Sequence, residues 1–200
     1  SITDLADALE KANLSAGSNY VRRAGESFLV RADARLRSID EIEQAAARDP
    51  FVIVDLEGTA SRLTSYAISQ SDLVIVPMKE QQQDAMAAID IIAEIHRDMK
   101  AVRRDIPYAV LFTQSKVVAK SRTARFVAKQ FRDNPRIETF QTEIHERDAF
   151  AALYAAGGGV RDLNPKEVNN LPSAIENVSA FAAEVIERLR ANQANQAEVA

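Results

Sequence analysis

Residues 51–55 read FVIVD and run on into Leu56, Glu57, Gly58 and Thr59. A short apolar run rich in β-branched residues, closed by an acid, has the character of a strand covered on both faces. Two further segments share it: residues 72–77 (DLVIVP) and 107–113 (PYAVLFT). Residues 137–144 (IETFQTEI) form a weaker strand candidate, and residues 28–30 a short edge strand. Between the strands lie amphipathic helical stretches at 2–12, 39–48, 84–104 and 121–131. A short helix at 149–154 and a longer one at 174–189 follow. Strands alternating with helices predict an α/β fold with a mostly parallel sheet flanked by helices. One domain over residues 1–190 is expected, with a polar, repetitive tail at 191–200 that frays.

Composition removes whole classes of chemistry. At 200 residues, 46% hydrophobic and 27% charged, the chain has room for a core without disulfides or structural metals. Cysteine is absent, which excludes a thiolate nucleophile and any Cys-ligated metal site. With His96 and His145 as its two histidines, a histidine cage is excluded as well. No apolar run reaches the roughly 18 residues that span a bilayer, and no signal-peptide pattern opens the chain, so a cytoplasmic location is expected. The six glycines (Gly17, Gly25, Gly58, Gly157, Gly158 and Gly159) make neither GxxxxGK[ST] nor GxGxxG. The triple glycine is followed by Val160 and Arg161 and reads as a flexible loop after a helix. His145-Glu146 has Ala149 where a zinc protease needs its second histidine, and His96 reads as a surface residue.

In open parallel sheets, ligands bind beyond the carboxyl ends of the strands. The segments at 55–59, 77–79 and 113–116 are therefore the places to look. A buried apolar strand ending in Asp55 has the form of a Walker B strand, whose aspartate holds the water shell of Mg²⁺ beside a nucleotide's phosphates. Gly58 would let the backbone approach a terminal phosphate. The plainer alternative is that Asp55 caps the next helix and Gly58 serves a turn. A third reading pairs Asp55 with Glu57 as acid and base of an unrelated α/β enzyme. A second signal is charge. Residues 116–136 hold Lys116, Lys120, Arg122, Arg125, Lys129, Arg132 and Arg136 against Asp133 alone. This segment carries +6 in a chain of net charge −4, so the remainder carries −10. Arg122, Arg125, Lys129 and Arg132 recur at three- and four-residue steps, along one helical face. Such segregation points to an anionic partner, with a solvated helix face as the alternative. Phe126 and Phe131 are expected to anchor this helix in the core, which argues against stacking of single-stranded bases.

FVIVDLEG at 51–58, SDLVIVP at 71–77, YAVLFT at 108–113 and HERDAF at 145–150 occur in one order and at one spacing. Together they resemble the ParA/MinD family of deviant Walker ATPases, and within it the ParA-like partition proteins of rhizobia and agrobacteria. The resemblance implies a P-loop NTPase-like fold and an ATP- and Mg²⁺-dependent homodimer that binds DNA non-specifically. It implies positioning of plasmid or chromosomal DNA at the nucleoid, and stimulation by a ParB-like partner. It matches Asp55 to the Walker B aspartate and places Gly58 in the switch segment after it. Gln114, Glu143, Glu146 and Asp148 match positions that enclose the adenine base; the alternative for Glu146, Arg147 and Asp148 is a capping cluster at a helix start. Leu56-Glu57 stands where the family more often has Thr-Pro. The family's first strand and its KGGxGKT loop, upstream of everything matched, are absent, so this chain alone is not expected to hydrolyse ATP. Two accounts are open: an N-terminally incomplete ATPase, or a non-catalytic DNA- or protein-binding module on a degenerate version of the fold.

Overall fold

The computed structural model describes residues 19–23, 26–30, 39–49, 51–56 and 61–199. Strands β1 (Asn19–Arg23) and β2 (Glu26–Val30) form an antiparallel two-stranded sheet, Asn19 opposite Val30 and Arg23 opposite Glu26. The expected edge strand at 28–30 thus belongs to a local hairpin and not to the main sheet. Antiparallel neighbours need only a short connection, whereas a place in a parallel sheet needs a crossover. The helix expected at 2–12 lies outside the described residues.

Helix α1 (Ile39–Arg48) has Asp40 and Glu41 in its first turn and Arg48 in its last, charges that complement the helix dipole at each end. Helix α2 (Arg62–Gln70) was not expected. Its start is fixed by Ser61, whose side chain accepts a hydrogen bond from the Thr64 N–H at 3.1 Å, and it buries Ala67 and Ile68. Strand β3 (Val74–Met78) leads through α3 (Gln82–Val102) to β4 (Tyr108–Ser115), and α4 (Arg122–Arg132) leads on to β5 (Ile144–His145). Helix α5 (Asp148–Ala156), a 3₁₀ turn at Val160–Asp162 and α6 (Leu171–Val199) complete the chain. The tail expected to fray instead continues α6. Its Ala, Gln and Glu residues are good helix formers, and Asn192 reaches the Asp72 carbonyl at 3.5 Å.

The main sheet has the order β3-β4-β5 and is parallel throughout. Val76 and Met78 pair with Val110 and Phe112 and bury one face against Ile68, Ala88, Ile92, Ile95, Val127, Ala128 and Phe131. The opposite face, through Ala109 and Leu111, packs on Phe140, Phe181 and Val185. Phe140 and Phe181 meet edge to face at 5.2 Å. The α/β architecture with a parallel sheet between helices is therefore as the sequence predicts.

Two strand expectations are corrected. Residues 51–56 are not a strand of this sheet. Phe51 is 43% and Ile53 79% exposed, while Leu56 packs against the main core. The segment rests on the molecule by every second residue, and no described strand supplies the ladder of backbone hydrogen bonds that would make it one. The candidate at 137–144 shrinks to a single bridge, Thr139 to Val110, and the two residues of β5. Between them Gln141 and Thr142 turn their N–H groups to Glu184 of α6, both at 2.8 Å. A carboxylate has replaced the neighbouring strand as acceptor.

Candidate functional site

The carboxyl ends of β3, β4 and β5 converge on a network of charged side chains. Glu80, two residues past β3, keeps only 5% of its side chain exposed and accepts from Lys120 at 2.7 Å. The same ammonium lies 2.5 Å from Glu143, whose other oxygen accepts from Arg132 at 2.9 Å. The Arg132 guanidinium also stacks over the Phe112 ring at 5.2 Å. Ser115, buried at the end of β4, shares a 2.8 Å hydrogen bond with His145 Nδ1, and its carbonyl accepts from the Glu146 N–H. Asn177 closes the group: its Oδ1 accepts from the His145 N–H, and its Nδ2 donates to the Glu143 carbonyl.

Burial works against charge on both central groups, and the partners outweigh it. The Glu143 carboxyl is held below its ordinary value because hydrogen bonds from Lys120 and Ser115 and the charges of Lys120 and Arg132 favour the anion. Lys120 is held above its ordinary value by Glu143 and Glu80. The result is a closed ionic latch joining the end of β3, the start of α4 and the segment before β5.

The residues singled out in the sequence fall into separate places. Asp55 is exposed in the segment outside the sheet, and Gly58 and Glu57 lie outside the described residues. Gln114 sits at the end of β4, exposed, with a left-handed φ of 52°. Glu143 is the centre of the latch. Glu146 is exposed beside it. Asp148 is the first residue of α5 after the N-cap Arg147, and its carboxylate accepts from the Asn169 N–H at 3.4 Å. Of the cationic residues, Lys120 and Arg132 are committed to the latch, and Lys129 pairs with Asp133 at 2.5 Å. Lys116, Arg122 and Arg125 are exposed and make no ion pair among the described residues. Phe131 is buried as expected, but Phe126 is 62% exposed. It sits one residue before the apolar stripe of Val127, Ala128 and Phe131, which turns it by about 100° toward solvent. Sequence reasoning missed Glu80, Ser115 and Asn177. A lone Glu two residues past a strand carries no motif, and its partner lies forty residues on.

The residues that the resemblance assigns to ATP and Mg²⁺ are not gathered at one place among the described residues: Asp55 is exposed outside the sheet, and Gly58 lies outside the described residues. The strand ends present Glu80, Glu143, Glu146 and Asp148, and the latch cations are already neutralised by carboxylates. Two open clefts, of about 380 and 590 Å³, are lined by the end of α3 and by α2 and α3 with Ile39 of α1. No helix among the described residues is long and apolar enough to cross a membrane.

The VirC1 protein family model matches residues 32–190. The chain is 34% identical over 151 residues to protein ParA of Rhizobium radiobacter, covering 76% of this chain and 67% of that protein. It is also 64% identical over 45 residues to the nickel-cobalt-cadmium resistance protein NccA of Alcaligenes xylosoxydans xylosoxydans and to the nickel and cobalt resistance protein CnrA of Cupriavidus metallidurans. That stretch is 22% of this chain but 4% of either protein, too little to carry their function. A family match across most of the chain, with a parallel sheet between helices beneath it, places the chain in the VirC1 family of ParA-like proteins.

Proposed function

We propose that the chain serves DNA partition by binding duplex DNA without sequence preference, through the loop at 116–120 and the outer face of α4. The observation that carries this reading is the state of the cations there. Helix α4 buries Val127, Ala128 and Phe131, so its row of basic residues faces out. Lys116, Arg122 and Arg125 have no carboxylate partner among the described residues, which leaves them available to phosphates. Membership of the family supports a partition role. ATP- and Mg²⁺-dependent dimerisation and a ParB-like stimulating partner belong to the same proposal, on family grounds alone. A second reading, a DNA-binding module that does not hydrolyse nucleotide, is favoured by Asp55, which is exposed outside the sheet.

The test is fluorescence anisotropy of a random-sequence duplex over a salt series, with and without MgATP. Each of Lys116→Gln, Arg122→Gln and Arg125→Gln is expected to flatten the log–log salt dependence by about 0.9 for each phosphate the cation neutralised. Tightening by MgATP supports the ATPase reading, and indifference to it supports the module. A chain that leaves duplex DNA unbound at low salt refutes both.

A further inference from the structure

The surface assigned to DNA holds more than cations. Val117, Val118 and Phe126 are 63%, 94% and 62% exposed. The two valines stand on a loop fastened at both ends: Ser115 is buried and bonded to His145, and Lys120 is latched to Glu80 and Glu143. Their projection is therefore held by the fold. Phe126 is an isolated apolar residue on its part of the helix. Its neighbours one turn away in either direction are Arg122, Thr123, Lys129 and Gln130, all polar and all exposed. The continuous apolar face of α4 is already spent on the sheet.

This pattern separates the possible occupants. A helix lying in a membrane interface carries a broad apolar face toward the lipid, and α4 has none to spare. Symmetric self-association through this face would set Arg122 and Arg125, which have no ion pair among the described residues, against their own copies, which like charge opposes. Single apolar side chains rimmed by cations are what proteins that deform duplex DNA use, inserting a wedge at a base step while the flanking cations hold phosphates. We propose that Phe126 and the Val117–Val118 tip are such wedges, entering a groove of duplex DNA while Lys116, Arg122 and Arg125 hold the backbone on either side. The proposal rests on the DNA-binding reading above and adds to it how the duplex is gripped and bent.

Bending and salt dependence, read together on the full chain, test it. A duplex labelled at both ends reports bending by energy transfer, and anisotropy reports affinity. Phe126→Ser and Val118→Ser, both at exposed positions, are expected to abolish the bend and weaken binding roughly tenfold, the size expected when one apolar side chain no longer leaves water. They are expected to leave the salt slope as in the unmodified chain. Arg122→Gln is expected to do the reverse, flattening the slope while some bend persists. If the serine variants bend and bind the duplex as the parent does, the wedge is wrong and the DNA reading stands. If the parent leaves duplex DNA unbound, both fall. Equal affinity for single-stranded oligonucleotide also overturns the wedge, since no groove is then needed. So does a serine effect confined to pelleting with anionic vesicles, or to a dimer–monomer shift in sedimentation.

Discussion

Glu143 shows how one carboxylate ties three segments together. With Lys120 at 2.5 Å and Arg132 at 2.9 Å, it is worth most as an anion. Its carboxyl is lowered in the fold, so its contribution is complete above the ordinary carboxylate pKa and is lost as pH falls through the lowered value. Lys120 behaves in the opposite sense: its raised pKa gives stability that is complete below the ordinary lysine value and is lost as pH rises through the raised one. Urea unfolding across pH should therefore show the latch intact through the neutral range. Glu143→Gln is expected to flatten the acid limb and to cost about 1–3 kcal/mol at neutral pH. Lys120→Met should cost more, about 3–5 kcal/mol, because it leaves the nearly buried Glu80 without its counter-charge. Asp55, exposed and outside the sheet, makes the contrast: Asp55→Ala should move stability by less than about 0.5 kcal/mol.

Among the elements, α4 is the most informative because its two faces answer to different partners. Ser121 accepts from the Ala124 N–H at 3.0 Å and sets the helix start. Ser121→Ala is expected to cost about 1 kcal/mol in urea unfolding. The same change should weaken DNA binding only through fraying of the first turn, with little change in salt slope. The boundaries of α4 were legible within a residue, since Ser121 and the stripe of Val127, Ala128 and Phe131 are local signals. Which of its cations stay available was not. Arg132 and Lys120 are paired with Glu143 and Glu80, residues eleven and forty positions away, and no local pattern announces such pairs. The segment at 137–144 makes the same point for strands. Its apolar and β-branched residues suit a strand, yet Glu184 of α6 takes the Gln141 and Thr142 N–H groups. Glu184 too is held below its ordinary value: burial opposes the shift, and the backbone N–H bonds and Arg188 impose it.

At the scale of the molecule, the described core has three clusters: the largest lies between the sheet and α3 and α4, a smaller one covers the opposite face of the sheet, and a third joins α5 to the start of α6. Phe112 is fully buried in the largest, edge-on to Phe131 at 6.3 Å and beneath the Arg132 guanidinium. Phe112→Ala should cost about 3–5 kcal/mol in urea or thermal unfolding. Because it also removes the surface on which Arg132 rests, it is expected to loosen the latch and raise the amide exchange of residues near Lys120. The charge asymmetry of the sequence survives folding in an altered form. Part of the +6 segment is neutralised by Glu80 and Glu143 from outside it, and the cations without an ion pair among the described residues are Lys116 on the loop, Arg122 and Arg125 in the first turns of α4, and Arg136 after its end.

Local periodicity was enough to establish the α/β alternation, the helices α1, α3 and α4, the middle of α5 and α6, and two of the three parallel strands. These elements are written in hydrophobic spacing and caps over a few residues, and they form wherever their apolar faces find cover. The arrangement in space had to come from packing. It left residues 51–56 out of the sheet despite a strongly strand-like composition, because a strand exists only where a neighbour offers its backbone groups. It also carried Phe126 to the surface and drew Glu143 into an ion-pair network with Lys120. Hydrogen-bond ladders and buried charge pairs join residues far apart in the chain, so their partners are chosen by the folded geometry.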